Sequence, residues 1–417
     1  MNAHLLNLLL SFCFILSLVA FCYNISFGDY NDTTQHNTTQ HNTTQHNTTQ
    51  HNTILNLDEL GKLARVNHIP IIFASDENYA KYLSVAVQSI KEHINPIYHY
   101  DIFVLETDIT ESTKLALHSM QNTNLSIYFI DIKPKLASYD TSLFTLNYYL
   151  TIEAYYRLFI PQIFQTFEKV LYVDCDITFR KDIAELYHTN MEDFLVAAVR
   201  DVGLILNVQV RELEMYRAYI YETLQLSNVS DYFNSGLMLF NLRLMREVNL
   251  DLLQLGIGLL QKGIKTLYSD QSILNYIFKD KVKYLPHNWN HLIWHTEIDI
   301  PTWKERLANT PYYEFICAYE EASKDPYTLH YKPWNKLDIA YGYEFWRYAR
   351  LCPLYEIILH DHITHKLSLT IKEYSYLPIY KAKLKRYRIL NALTFGKFRK
   401  FQNRKNELKQ KISNMEK

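Results

Sequence analysis

Cysteine is sparse and unpatterned in this 417-residue chain: there are five, Cys13, Cys22, Cys175, Cys317 and Cys352. Two fall in an apolar N-terminal run and the other three are scattered without Cys-x-x-Cys spacing. That argues against a zinc module or a disulfide scaffold and fits a reducing compartment. Glycine is scarce as well, at 9 residues. Net charge is nearly absent, at −1, but the balance conceals an asymmetry. Residues 381–417 hold 13 Lys/Arg against 2 Asp/Glu, a net +11, so the preceding residues carry −12. A basic tail on an acidic body suits a negatively charged partner. No nucleic-acid motif accompanies these basic residues, and Tyr387, Leu390, Phe395, Phe398 and Phe401 lie among them, a mixture that suits an anionic lipid surface. What is abundant is aromatic: 34 Tyr and 21 Phe within a hydrophobic fraction of 48%. Tyrosine offers an apolar body and a polar tip, so much of it must be half-buried or line clefts. The length suffices for one large core, or one core with satellites.

Residues 5–23 are almost wholly apolar and just long enough to span a bilayer. No Lys or Arg precedes them, and Val19-Ala20-Phe21-Cys22 is a poor cleavage region. Residues 1–25 therefore stay open as an anchor, a signal or a dispensable extension. Within residues 26–54 the unit His36-Asn37-Thr38-Thr39-Gln40 recurs at 41–45 and 46–50 and begins again at His51. Such polar sequence cannot bury apolar area and is expected to be a disordered linker rather than a metal-binding array.

The folded body is expected to begin near Leu55. Ile69-Pro70-Ile71-Ile72-Phe73-Ala74, Ile102-Phe103-Val104-Leu105, Leu125 to Ile130, 170–173 and Phe194 to Val199 read as strands. Helical spacing over 79–92, 110–120 and 151–160 alternates with them. This order predicts a mostly parallel sheet flanked by helices on both faces, with right-handed crossovers. Further helices are expected over 208–226, 243–262 and 270–278, a strand over 232–240 and a late strand over 282–285. A long helix is expected over 341–359, interrupted or kinked by Pro353.

The residues richest in chemistry follow an apolar strand: Leu171-Tyr172-Val173-Asp174-Cys175-Asp176. Two carboxylates one residue apart at a strand end can hold a divalent cation, and the cation can grip a diphosphate. Cys175 between them is expected to face the core, since strand neighbours alternate. Five more motifs keep them company: Phe73-Ala74-Ser75-Asp76-Glu77-Asn78-Tyr79, Glu153-Ala154-Tyr155-Tyr156-Arg157-Leu158, Phe233-Asn234-Ser235-Gly236 to Leu242, Tyr268-Ser269-Asp270-Gln271 to Asn275, and Leu329-His330-Tyr331-Lys332-Pro333-Trp334.

In that order these motifs resemble the retaining glycosyltransferases of family 8, especially the lipopolysaccharide galactosyl- and glucosyltransferases of Gram-negative bacteria, over about residues 69–350. The resemblance implies an α/β GT-A nucleotide-diphospho-sugar transferase fold, which sets the catalytic domain at 55–350, and the basic residues of the tail make 351–417 a helical, membrane-associating region. It implies UDP-galactose or UDP-glucose as donor and Mn²⁺ or Mg²⁺ as cofactor. It places Ala74, Asp76, Asn78 and Tyr79 around the nucleotide, Asp76 on the uracil and Tyr79 stacked on the base. A carboxylate accepting a uracil N–H and a flat phenol ring agree with that chemistry. It places Arg157 on the donor sugar or its phosphate side, Asp174 on the ribose, the donor sugar and the metal, Asp176 on the metal, and Asp201, Asn234, Asp270 and Gln271 around the donor and acceptor sugars. Asp76 and Asp270 as helix caps, and Arg157 in a surface salt bridge, remain the plain alternatives. His330 becomes the third metal ligand and Lys332 the diphosphate ligand. Relatives separate that His and Lys by several residues including a glycine, whereas Tyr331 alone stands between them here. A local rearrangement is therefore expected to bring both side chains there, with His287 as the substitute ligand if His330 fails. Gly236 is expected to allow a close backbone approach or a turn, and Asn241 to be structural.

The implied reaction moves a hexose from a UDP-hexose to a glycolipid acceptor, the growing lipopolysaccharide core, with retention. Double displacement needs a carboxylate about 3 Å from the anomeric carbon, and the motifs supply no convincing one. A front-face route assisted by the departing phosphate is preferred. The implied place is the cytoplasmic face of the inner membrane of a Gram-negative bacterium, peripheral or N-terminally anchored. A non-catalytic sugar-nucleotide or glycan-binding protein and a protein-directed transferase are the competing readings.

Overall fold

A computed structural model describes residues 60, 63, 66–144, 152–209, 213–264, 266–293, 299–332, 339–375, 377–393 and 399–415. The apolar run 5–23, the five-residue repeat, Pro333 and Trp334 lie outside the described residues. In chain order the principal elements are β1 (His68–Ala74), α1 (Glu77–Lys91), β2 (His99–Glu106), α2 (Glu111–His118), β3 (Leu125–Asp131), β4 (Lys169–Val173), β5 (Ile177–Phe179), β6 (Val196–Arg200), α3 (Val202–Gln209), β7 (Phe233–Asn241), α4 (Leu242–Glu247), α5 (Leu252–Gln261), α6 (Ser269–Ile277), β8 (Val282–Tyr284), β9 (His291–Leu292), α7 (Ile300–Leu307), α8 (Tyr313–Ala322), β10 (Thr328–His330), α9 (Gly342–Ala349), α10 (Tyr355–Ser375), α11 (Leu377–Leu393) and α12 (Arg399–Met415).

Seven strands form one sheet in the order β3-β2-β1-β4-β7-β6-β8. β1, β2, β3 and β4 run parallel, while β7 lies antiparallel between β4 and β6. The strands read as continuous apolar runs because both faces are covered. Leu171 and Val173 of β4 pack with Ile71, Phe73 and α1 on one face, and Val170 and Tyr172 pack with Ile72, Phe103 and α6 on the other. The same period of two puts Cys175 on the face of Leu171 and Val173, where it is buried as expected. Asp174 falls on the face of Tyr172. A second sheet, β5-β10-β9, crosses the end of β4.

Several expected helices are cut shorter. Residues 152–159 form a 3-10 helix rather than an α-helix, followed by one α-turn at Ile160–Ile163. The helix expected over 243–262 is two, α4 and α5. Asn249 turns left-handed at φ 51, and Asp251 caps α5 by accepting the Gln254 N–H at 3.0 Å. The helix expected over 341–359 is also two, since Pro353 falls between α9 and α10. The segment 208–226 is broken into the end of α3, a short helix at Glu214–Ala218 and a π-turn at Tyr219–Thr223. Among the described residues no helix is long and apolar enough to cross a membrane.

Asn241 has the structural role expected. It caps α4 through the Leu244 N–H at 3.1 Å and donates to Phe194 O at 3.1 Å. Asn241→Ala should lower the unfolding free energy by about 0.5–2 kcal/mol, read by chemical denaturation, and should leave divalent-cation affinity unchanged.

Candidate functional site

The site forms where β4 ends and β10 crosses it. The Asp174 N–H donates to Gly236 O of β7 at 2.8 Å, and the Tyr331 N–H donates to Asp176 O at 3.0 Å. β10 pairs antiparallel with β5, which sets His330 opposite Ile177. The possible ligand atoms of Asp174, Asp176 and His330 then lie within 4.8 Å of one another. His330 Nε2 is 3.2 Å from Asp176 Oδ1, and Lys332 Nζ is 3.2 Å from Asp176 Oδ2. Burial alone would raise the Asp176 carboxyl, but His330 and Lys332 hold it well below the usual carboxylate range. Two carboxylates and an imidazole make a hard-to-borderline donor set that fits a divalent cation.

The rearrangement expected around His330 and Lys332 is not needed. Residues two apart on extended chain share a face, so His330 and Lys332 both reach Asp176 while Tyr331 turns into the core against Phe345. His287, the expected substitute, is instead packed edge-on against Phe315 and Tyr319. Burial pushes its imidazole down to about 4.

Arg157 is buried rather than a surface partner. Nη2 donates to Asp174 Oδ1 at 2.9 Å, Nη1 to Ser235 O at 2.6 Å and Ser235 Oγ at 3.0 Å, and Nε to Ala154 O at 2.9 Å. Its Nε also lies 3.0 Å from Asp270 Oδ2, an ionic contact, because the N–H itself points at Ala154. The guanidinium lies over the Tyr172 ring at 4.2 Å. Burial pushes the Asp270 carboxyl up to about 6, with Arg157 opposing the rise and Asp174 adding to it. Asp270 and Gln271 open α6, launched from Ser269 in a left-handed conformation at φ 44. Asn275 locks this helix to β7 by exchanging hydrogen bonds with Phe233 N at 2.8 Å and Phe233 O at 2.9 Å.

Two adjoining cavities meet at this cluster. One is lined by Ala74, Ser75, Asp76, Tyr79, Glu153, Ala154, Tyr172 and Cys175. The other is lined by Asp201, Gly203, Leu204, Asn207, Asn234, Ser235, Tyr268, Asp270, Gln271 and His330. Arg157, Asp174, Asp176 and Lys332 line both. Asp76 is also the α1 N-cap, accepting the Tyr79 N–H at 2.7 Å. Lys332 donates to the Tyr79 hydroxyl at 3.2 Å. Asn78 is exposed on the first turn of α1, outside both linings. A larger cleft between α11 and α12, lined by Tyr380, Lys383, Arg386, Tyr387, Arg404 and Lys411 among others, shares no residue with them.

In the second cavity the amides are pinned. Gln271 Oε1 accepts the Ser235 N–H at 3.0 Å, and its Nε2 donates to Asp201 Oδ2 at 3.3 Å and Tyr232 Oη at 3.1 Å. Asn234 Nδ2 donates to the same Asp201 oxygen at 3.3 Å. The motif reading passed over Ser235, Tyr232, Tyr172 and Asn290. The first three lie inside or beside the quoted motifs, so proximity was the available signal. For Asn290 the signal was its place three residues after His287.

Comparison with known proteins follows this geometry. The family model for glycosyl transferase family 8 matches residues 70–338. A putative glycosyltransferase of Haemophilus influenzae is 28% identical over 222 residues, 53% of this chain and 62% of its own length. The lipopolysaccharide 1,2-glucosyltransferase of Escherichia coli is 24% identical over 302 residues, 69% of this chain and 80% of its own. Among solved structures, the bifunctional glycosyltransferase WbbM aligns with TM-score 0.60 at 26% identity, over 71% of this chain and 52% of that one. The galactosyltransferase LgtC, solved with donor and acceptor sugar analogues, aligns with TM-score 0.53 at 25% identity, over 68% of this chain and 96% of that one. This chain thus spans 62% of the Haemophilus protein and about half of WbbM. The fold is the α/β GT-A type, a mixed, mostly parallel sheet between helices with a helical C-terminal region.

Gly236 is where the site tolerates no side chain. A Cβ there would stand 2.5 Å from His330 Cε1 and 2.9 Å from Nδ1, so the glycine serves close approach of the ring. Gly236→Ala should displace His330 and weaken divalent-cation binding at least about tenfold, measured by isothermal titration, with the secondary structure unchanged by circular dichroism.

Proposed function

The chain belongs to glycosyl transferase family 8, and we propose that it is a metal-dependent, retaining hexosyltransferase that uses UDP-galactose or UDP-glucose. One observation carries this reading: Arg157, Asp174, Asp176 and Lys332 form the common wall of two cavities. Asp76 and Tyr79 in the first suit a uracil and its stacking; Asp201, Asn234, Asp270 and Gln271 in the second suit sugar hydroxyls. The shared wall is where the diphosphate-to-sugar linkage would lie. Asp174, Asp176 and His330 would hold Mn²⁺ or Mg²⁺, which when bound neutralises charge on the departing diphosphate. Lys332 would add a second positive group to the phosphate side. Arg157, with its donors directed to Asp174 and Ser235, would hold the Asp174 carboxylate in place rather than grip the phosphates as a fork.

The front-face route gains support from the second cavity. Asp201 accepts from Asn234, Gln271 and the Leu204 N–H at 3.2 Å, and Asp270 is paired with Arg157. Neither carboxylate is placed as an unencumbered nucleophile, and the Gln271 amide is a poor one. The departing phosphate oxygen would take the acceptor's proton while the protein positions both sugars.

The acceptor we propose is a phosphorylated glycolipid of the lipopolysaccharide-core class, reached from the cytoplasmic face of the inner membrane of a Gram-negative bacterium. The relative named for lipopolysaccharide glucosyl transfer supports the class. The basic residues of α11 and α12, with the tyrosines of α11, support an anionic membrane surface as partner. In this assignment residues 55–350 are catalytic, 351–417 bind the membrane, 26–54 link, and 1–25 anchor or are removed. The short His330–Lys332 spacing is the sequence feature that best suits the competing non-catalytic protein; the presence of both side chains at Asp176 supports the enzyme instead.

The test is Mn²⁺-dependent turnover of a panel of UDP-sugars by the full chain. One UDP-hexose should be hydrolysed, and the Asp174→Ala, Asp176→Ala double variant should be slower by at least about a hundredfold. With an acceptor glycolipid, NMR should find the product anomer of the same configuration as the donor. Absence of any metal-dependent UDP-sugar binding would overturn the donor-site assignment.

A further inference from the structure

An imidazole ligates a metal only through a nitrogen that carries a lone pair, and the partner of its other nitrogen decides which one that is. For His330 the decision can be traced to the backbone. The Gly236 N–H, which can only donate, gives its hydrogen bond to Asn234 Oδ1 at 2.9 Å. Asn290 meets that same oxygen at 2.8 Å, so it must do so through its own Nδ2. The remaining amide atom of Asn290 is then Oδ1, and it lies 2.8 Å from His330 Nδ1. An acceptor there requires Nδ1 to carry a hydrogen. Nε2, on the opposite side and 3.2 Å from Asp176 Oδ1, is the nitrogen turned toward the carboxylates.

We propose that Asn290 is a positioning residue that holds His330 in the Nδ1–H tautomer and so presents Nε2 to a divalent cation. The inference rests on the reading of Asp174, Asp176 and His330 as metal ligands. Its setting is built for the purpose. Asn290 is buried and immediately precedes β9, which runs parallel to β10 with His330 paired to Leu292. Its N–H donates to Thr328 Oγ1 of β10 at 2.6 Å. Its backbone is left-handed at φ 54, a conformation that asparagine tolerates better than most residues. The missing Cβ of Gly236 leaves room for the ring in this orientation.

The variants follow from that backbone. Asn290→Gly keeps a left-handed φ without strain and deletes the acceptor; Asn290→Asp restores an acceptor oxygen to Nδ1 but gives up the N–H donated to Asn234 Oδ1. Using the full chain, Mn²⁺ titration should show affinity lowered about 10–100-fold in Asn290→Gly and partly recovered in Asn290→Asp, a rescue that a packing role alone would not give. In parallel, nitrogen NMR of the Mg²⁺-loaded wild type, with the His330 signals assigned by their loss in His330→Ala, should find the proton on Nδ1. Wild-type Mn²⁺ affinity in Asn290→Gly, or a metal-loaded His330 without a proton on Nδ1, would overturn the proposal. The NMR result decides alone if the glycine variant fails to fold. His330→Ala separates the two levels: unchanged Mn²⁺ affinity there refutes the ligand reading and the inference with it, whereas loss there together with wild-type affinity in Asn290→Gly refutes only the role of Asn290.

Discussion

Three carboxylates, those of Asp174, Asp176 and Asp270, are brought together at the end of β4, and the interior can hold them only with cations placed among them. The placement of those cations organises the rest. Arg157 stands between Asp174 and Asp270 and ties the 3-10 helix at 152–159 to β4, β7 and α6. His330 and Lys332 stand on Asp176 and tie β10 to the same point. A guanidinium suits the inner position because its fixed fork reaches Asp174 and Ser235 at once. The ammonium of Lys332, a mobile point charge at the cavity wall, suits the outer one.

The sheet makes this convergence possible through a defect. β6 and β7 pair regularly up to Ala198 and Met238, then the register jumps so that Val199 faces Asn234. Ser235, Gly236 and Leu237 are released from β6 at that point, as bulges beside functional sites commonly do. Ser235 O then accepts Arg157, Gly236 O accepts the Asp174 N–H, and both N–H groups turn to side-chain amides. A regular ladder would have consumed these groups.

What the sequence made legible follows from the same physics. The apolar runs of β1, β2 and β4 are continuous because both sheet faces are covered, so the strands themselves and the fold class could be read from them, though not their order in the sheet. The motif residues could be read because carboxylates, amides and an Arg at strand and helix ends have few bland uses together. Helix continuity was less legible: periodicity runs through 243–262, but Asn249 and Asp251 stop one helix and cap another. The 3-10 geometry at 152–159 was hidden for the same reason, since apolar spacing does not report hydrogen-bond register. The His330–Lys332 spacing misled because it was compared with longer loops instead of being taken as extended chain, where a step of two preserves the face. Asn290 ends the segment that holds His287 but could not be singled out within it, because its contact with His330 arises from β9 lying beside β10, a long-range pairing that no local pattern encodes.

The bulge also sets the polarity of the whole site. Amide side chains have two orientations, and either fits its space; a backbone N–H has one sense. Ser235 N–H fixes Gln271 with its oxygen toward β7, which sends its nitrogen to Asp201 and Tyr232. Gly236 N–H fixes Asn234 in the same way, which sends its nitrogen to Asp201 and draws the nitrogen of Asn290. Asp201 therefore receives N–H groups from two amides on one oxygen. On the other branch His330 receives a carbonyl oxygen, not an N–H. Two adjacent peptide groups of one strand thus decide which atoms face the second cavity and which nitrogen of the imidazole faces the acidic cluster. The cavity and the acidic cluster are parts of one hydrogen-bonded unit, and its direction is written into the backbone at Ser235 and Gly236.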